Sequence, residues 1–522
     1  MKKILFYLVF SVLLNVPCKA QTEYINLKYS LGYLSTVITG IYPTDSCLYV
    51  KGVMVDTLFR YGTFFSKVSL DGQFVHTSEL IDSSRRIESW LPRLIKNPAG
   101  NFVVAGYMYD PEDAGFLAEF TPNGTLVRFN QFRSPDYPAE KFIVITAIMN
   151  GDSNSYIITG NLGAVPKDIY LAKINNNLEI DWLKTYGGNL KNNSASLLKD
   201  TDGGIIFGGM EYTNLNFHSI ICRKTITKVN NDGSNLLWDW KLPEESLPPM
   251  RGWLVNDMIK LSDGSIVGAS AISKEEVINE GSSLLLHSPS IFKLKPNHTL
   301  DWETPIGNGL YIESYQEFTR ILNANSAGDG YVAAGSMYLL DTTGSGISIQ
   351  LGVLAHVAEN GDSLWMRYQY YYGDSTTSRL HNIYDLAPAN GGGYWICGDA
   401  IKQVPGEPLQ QGWLLRVDDY GCLVPGCQLV STNPEVAIAE KIKLYPNPAS
   451  DHLAIYHAGY NFCQGRFRIV DLQGRVLQEW RTPASDLTTI FDLSQFVSGT
   501  FFLQYTEKGE LLTNKAFSVI KG

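Results

Sequence analysis

The chain reads as all-β: a propeller of about seven four-stranded blades followed by a small Ig-like β-sandwich. Three observations predict this. A turn-and-strand element, Asp202-Gly203-Gly204-Ile205-Ile206-Phe207-Gly208-Gly209, returns in variants across residues 22–428. A second element, a strand entering an Asn/Asp-Gly turn with Trp beyond it, recurs in phase with the first. After residue 428 both stop and shorter strands divided by Gly and Pro take over. Two independent motifs in phase, spaced by roughly 50 to 65 residues, fit four-stranded blades better than helical solenoid repeats.

Residues 1–20 come first and read as a secretory signal. Met1-Lys2-Lys3 leads an apolar stretch over 4–16, and Cys18-Lys19-Ala20 places small residues where a signal peptidase reads. The apolar core is shorter than the roughly 20 residues a spanning helix needs. No longer apolar run follows, so the mature chain is expected to start near Gln21 with no transmembrane segment. Asn15-Val16-Pro17 lacks the pattern that precedes a lipidated cysteine.

The composition, 44% hydrophobic and 18% charged over 522 residues, is that of a folded chain with ample core. A formal charge of -10 argues against nucleic acid as a partner, because that affinity comes from Lys and Arg neutralising phosphates. Aromatics at 12% read first as strand packing and second as carbohydrate stacking. Beyond Cys18, the residues Cys47, Cys222, Cys397, Cys422, Cys427 and Cys463 are too scattered for a disulfide scaffold or a zinc cluster. The Pro425-Gly426 turn between Cys422 and Cys427 predicts one disulfide there, and the other thiols read as buried apolar residues.

The repeat is clearest over 195–243. A strand at 196–199 runs into Asp200-Thr201-Asp202-Gly203, and a second continues to Met210. After a longer connection, a third strand at 225–229 meets Asn230-Asn231-Asp232-Gly233 and a fourth follows at 236–240. Asp-Gly between apolar alternations is a strong hairpin signal, so the unit is an antiparallel meander. Trp182, Trp238, Trp302 and Trp365 follow the second turn at matching distance and read as blade-packing anchors. Residues 24–29 look like a fourth strand with no preceding three, while the last unit ends after its third strand near Val417. The N-terminal strand is therefore expected to complete the last blade and close the ring.

Residues 429–441 read as a linker and 442–522 as a separate sandwich of about 80 residues. Its landmarks are Tyr445-Pro446-Asn447-Pro448, Asp471-Leu472-Gln473-Gly474-Arg475, Gly499 before Thr500-Phe501-Phe502-Leu503, and Lys515-Ala516-Phe517-Ser518-Val519. On these residues the segment resembles the type A C-terminal sorting domain of proteins exported by the type IX secretion (Por) system of Bacteroidetes. The resemblance implies passage across the outer membrane through that machinery, and partnership with its sortase-like peptidase. It also implies a secreted or outer cell-surface destination, released or attached to surface lipopolysaccharide.

No catalytic constellation emerges. The chain lacks a Gly-x-Ser-x-Gly elbow, a His-Glu-x-x-His pair and a phosphate-binding Gly-rich loop. His76, His218, His287, His298, His356 and His381 have no metal-ligand spacing, and neither metal nor cofactor is expected. A carboxylate pair brought together by the blades is compatible with the sequence but not indicated by it. A binding or structural surface protein is the first reading, and a secreted glycan-active hydrolase or lyase is the alternative. In each blade the two tight turns share one end, so the second-to-third and blade-to-blade connections share the other. The long connections, at 134–140, 244–253, 272–289 and 367–379, mark that face for binding, with Tyr370, Tyr371, Tyr372, Arg251, Trp253 and Tyr137 as candidates. Glycans and host or surface proteins are the expected ligand classes. The competing reading of the tyrosines is a continued fourth strand packed on the neighbouring blade.

Overall fold

Seven tight turns carry a residue of positive φ at the same place: Gly72, Gly124, Leu178, Gly233, His298, Gly361 and Gly421, with φ of 88, 84, 62, 67, 62, 93 and 71°. The left-handed conformation costs glycine nothing, and Leu178 and His298 adopt it because the same hairpin geometry requires it. Each turn follows the third strand of an antiparallel sheet, and the first six join it to the fourth. In a computed structural model of the chain these sheets are the blades of a propeller: blade 1 over residues 35–81, then 86–132, 143–186, 191–241, 250–305, 317–369 and 378–417 for blades 2 to 7. The structure describes residues 24–521 except 110–112, 134–142, 163–167, 187–190, 215–219, 244–249, 253, 280–281, 308–316, 325–329, 341–347, 372–377, 403–407, 409, 424–441, 458–464, 472–474, 482–487 and 508–509. The expected secretory signal lies outside the described residues.

Blade 7 supplies only three of its own strands. Its fourth is Ile25–Tyr29, antiparallel to Gln410–Val417 with Ile25 opposite Arg416 and Tyr29 opposite Gly412. The strand that looked orphaned in the sequence closes the ring. Single parallel bridges, Gln350 to Leu380 and Ser35 to Gln410, further link blades 6, 7 and 1.

Blades are apolar on both faces, so the core lies between them. Tyr49, Phe65, Phe102, Phe116 and Phe120 pack between blades 1 and 2, and Leu354, Trp365, Tyr394, Ile396 and Trp413 between blades 6 and 7. Each such side chain contributes about 1.5–3 kcal/mol by leaving water.

A second device repeats at the rim, where a fourth-strand side chain of one blade reaches the positive-φ residue of the next. Tyr29 Oη donates to Gly72 O at 2.7 Å, Ser78 Oγ to Gly124 O at 2.6 Å and Asn130 Nδ2 to Leu178 O at 2.8 Å. Tyr186 Oη donates to Gly233 O at 2.6 Å, Thr304 Oγ1 to Gly361 O at 2.5 Å and Gln369 Nε2 to Gly421 O at 2.7 Å. At the remaining junction Trp238 stacks on His298 with ring centroids 4.0 Å apart. Trp182, Trp302 and Trp365 lie so close over Gly233, Gly361 and Gly421 that an added Cβ would come within 3.0, 2.8 and 3.0 Å of an indole. The four tryptophans are packing anchors between blades.

One expected connection is strand instead. Ile266–Asn279 and Ser282–Leu294 pair from Ile266 opposite Leu294 to Asn279 opposite Ser282, so most of 272–289 is a long hairpin. Around the charged Lys274-Glu275-Glu276, the β-branched Ile272, Val277 and Ile278 favour a continued ladder over the expected connection. Likewise the fourth strand of blade 6, Ser363–Gln369, absorbs the start of the 367–379 connection.

The chain divides into two compact units, residues 1–424 and 425–522. The second has a three-stranded sheet of Ile442–Tyr445, His452–His457 and Thr488–Asp492 and a four-stranded sheet of Val476–Trp480, Arg466–Val470, Gly499–Glu507 and Glu510–Val519. Leu453, Ile455, Phe467, Ile469, Phe491, Phe501, Leu503, Tyr505 and Phe517 fill the sandwich. Among the described residues no helix is long and apolar enough to cross a membrane.

Candidate functional site

Tyr370 and Tyr371 are half-buried and lie on the closing strand of blade 7. Asn26 Nδ2 donates to Tyr370 O at 3.0 Å, Lys28 Nζ sits 4.3 Å from the Tyr371 ring centroid, and Tyr371 N donates to His381 Nε2 at 3.2 Å. Burial lowers the His381 pKa to about 4, which keeps the ring a neutral acceptor. Tyr372, Trp253 and Tyr137 lie outside the described residues. Arg251 stands in the short strand Met250–Gly252, opposite Ser273. Cys422 is disulfide-bonded, and Cys427 lies outside the described residues. Cys47 and Cys397 are free and buried.

In the second unit Tyr445 is 77% exposed, and Pro446, Asn447 and Pro448 follow it at the surface. Asn447 Oδ1 accepts from Ser518 N at 3.0 Å, and Lys515 Nζ donates to Ile442 O. These bonds tie the first strand of the domain to its last. Asp471 accepts from Arg475 N at 2.9 Å and from Arg475 Nε at 2.7 Å, which explains the spacing of those two motif residues as a closed turn. Gly499 opens an exposed strand start, and Gly474 lies outside the described residues.

The charged centre of the propeller is built from what breaks the repeat. The innermost strands of blades 1, 3, 4 and 6 each carry a single extra residue, at Thr39, Thr146, Ala195 and Thr319, and that of blade 7 carries two, at Arg379 and Tyr384. Blade 2 carries more. Glu88 pairs with Tyr107 and Ile95 with Val103, so seven steps on one strand face four on the other. The segment between these pairings, residues 89–94, bulges across the ring. Trp90 meets Tyr384 of blade 7 edge-on at 5.9 Å, Leu91 O accepts from Arg320 of blade 6 at 3.3 Å, and Arg93 pairs with Asp257 of blade 5. Asp257 also accepts from Ile321 N at 2.9 Å. Asp385 holds Arg320 Nε at 2.7 Å and Ile41 N at 3.0 Å. A cavity of about 50 Å³ beside Arg93, Ser196, Asn256 and Arg320 has room for a water or two.

Two buried groups flank this plug. Lys51 is fully buried and donates to Ser89 O at 2.7 Å, Ser89 Oγ at 2.9 Å and Thr39 Oγ1 at 3.0 Å, joining blades 1 and 2. Its stem passes so close to Gly40 that an added Cβ there would lie 2.9 Å from Cε. Burial lowers its pKa to about 7, against the opposing pull of Asp385. Asp399, also fully buried, accepts from Gln410 Nε2 at 2.9 Å and Asn382 Nδ2 at 3.1 Å. Burial raises its pKa to about 6, although Gln410, Asn382 and Tyr384 all hydrogen-bond to it.

Toward the end of blade 2 that carries the blade-to-blade connections, the Arg86 guanidinium lies 3.9 Å from the Tyr61 ring centroid and 5.5 Å from that of Tyr109. Arg86 Nη2 donates to Glu88 Oε1 at 2.7 Å, and Trp90 Nε1 donates to Glu88 Oε2 at 2.9 Å. Sequence reasoning missed this group. Its only signal was Arg85-Arg86-Ile87-Glu88-Ser89-Trp90-Leu91-Pro92-Arg93, a charged and aromatic run that belongs to neither repeated motif.

Residues 443–520 match the family described as "Secretion system C-terminal sorting domain". The second unit is therefore a type IX sorting domain, and the chain is exported through that machinery to the cell surface or beyond it. No curated protein matches the chain. Among solved structures it is similar to the polysaccharide lyase Uly1, at 10% identity over 73% of this chain and 89% of that one, with a TM-score of 0.43. It is similar to a subtype N10 neuraminidase-like protein of A/little yellow-shouldered bat/Guatemala, at 9% identity over 62% and 93%, TM-score 0.35. A third is the α-L-arabinanase of Penicillium chrysogenum complexed with arabinobiose, at 10% identity over 63% and 92%, TM-score 0.34.

Proposed function

We propose that the chain is an exported binding protein whose propeller, residues 22–428, is the cargo and whose residues 442–522 are the address. On this reading residues 1–20 take it across the inner membrane of a Bacteroidetes cell, and the linker at 429–441 leaves the sorting domain open to a sortase-like peptidase. The cargo is then released or attached to surface lipopolysaccharide. The carrying observation is the plug. Arg93 with Asp257 and Arg320 with Asp385 spend the charges at the ring's centre on joining blade 2 to blades 5 and 6, and blade 6 to blade 7. Charges fixed this way hold architecture, which leaves the loop-bearing face as the place where partners meet the protein.

One observation favours the alternative, a glycan-active enzyme. Asp399 is a carboxyl buried in the ring whose pKa burial raises to about 6, and a perturbed carboxyl of this kind is a candidate to test for a catalytic role. Incubating the purified full-length chain with oligosaccharides and surface proteins separates the two. Saturable retention with unchanged ligand supports the binding reading, and cleaved product that disappears in Asp399→Asn replaces it with the enzyme.

A further inference from the structure

We infer that the track Tyr61–Arg86–Tyr109–Glu88–Trp90–Tyr384 on the loop-bearing face is a subsite for a neutral glycan chain. The inference rests on the binding reading above and names its ligand class. The track is continuous: Tyr61 under Arg86 at 3.9 Å, Arg86 on Glu88 at 2.7 Å, Glu88 on the Trp90 indole at 2.9 Å, and Trp90 against Tyr384 at 5.9 Å. It runs from the third strand of blade 1, past the start of blade 2, to the plug at the ring's centre.

Three properties select the ligand. Tyr109, Trp90 and Tyr384 are half-buried and Tyr61 is exposed beneath Arg86, so the rings offer rigid apolar surface with little ordering left to do on binding. Arg86 and Glu88 neutralise each other, so the track holds no excess charge to attract a polyanion. Glu88 is buried and bonded through both oxygens, so it fixes Arg86 and Trp90 in place, while the half-exposed Arg86 guanidinium offers planar donors to hydroxyls projecting from a sugar whose C–H face lies on an aromatic ring. An apolar peptide would instead seek Leu58 and Phe59, which stand 69% and 76% exposed on a neighbouring turn of blade 1. Asp56 holds that turn by accepting from Leu58 N and Arg60 N, both at 2.9 Å.

The test is calorimetric titration of the full-length chain with cello-, xylo-, manno- and arabinohexaose, with polygalacturonate as the charged probe and an immobilised peptide library alongside. At least one neutral hexasaccharide is expected to bind, with Kd nearly unchanged from roughly 50 to 500 mM salt. Tyr61→Ala and Arg86→Ala should each weaken it by about tenfold or more, whereas Tyr61→Phe retains it. Circular dichroism confirms that each variant is folded. Equal affinity in wild type and both Ala variants overturns the track, as does binding confined to polygalacturonate that fades with salt. Peptide capture lost in Leu58→Ser or Phe59→Ser, with no sugar bound, overturns the glycan assignment and leaves the binding reading standing. Cleavage of a hexasaccharide whose binding the Ala variants lose supports the track and overturns the non-catalytic reading.

Discussion

The rim and the centre of the propeller join the same blades by different means. At the rim, one neutral hydrogen bond or ring stack is repeated at each junction, from Tyr29 on Gly72 to Gln369 on Gly421. At the centre the junctions differ in kind: Lys51 bonds only neutral groups, Asp257 and Asp385 each serve an arginine and a backbone N–H, and blade 2 reaches across the ring. Repetition spreads stability over many small terms. The centre concentrates it in a few buried charges, where losing one partner strands the other.

The sharpest way to break this contrast is Asp385→Ala. It leaves Arg320 buried without its carboxylate and Ile41 N without an acceptor, and about 3–5 kcal/mol should be lost. Urea denaturation measures it, and a loss below about 1 kcal/mol would place the centre on the rim's scale.

Lys51→Met sharpens the comparison through pH. With a folded pKa of about 7 against 10.5 unfolded, Lys51 binds fewer protons folded than unfolded between those values, so its contribution to stability rises with pH across that window. The slope is at most about 1.4 kcal/mol per pH unit. Methionine removes it, and the variant should exceed the wild type in stability near pH 6 and lose that lead by pH 9. Parallel stability curves for the two proteins would show that Lys51 keeps an ordinary ammonium. The smallest effect belongs to the rim: Thr304→Val removes one bond to Gly361 O and should cost about 1 kcal/mol by the same denaturation assay.

The contrast also divides what was legible in the sequence. Asp202-Gly203, Asp232-Gly233 and the four spaced tryptophans predicted the blades because every copy states the same rule, and a lone fourth strand at 24–29 predicted its partner by subtraction. The sorting domain was legible from short motifs for the same reason. The centre was not. Lys51 sits in a strand where a lysine ordinarily faces water, and only the fold puts Ser89 and Thr39 around it. Arg93 and Asp257 are 164 residues apart. Residues 89–94 carry neither repeated motif, and that departure is what takes them across the ring.

The closing strand sets an order of events. A ribosome makes Ile25–Tyr29 before the other strands of the ring and its partner Gln410–Val417 after them, so the closing strand has nothing to pair with until nearly the whole cargo exists. The sorting domain is made later still. A chain that bears its export label has therefore already acquired every strand the ring needs, whereas one interrupted earlier has neither a closed ring nor an address. Placing the lock at one end of the cargo and the label beyond the other lets the label serve as a certificate of completion.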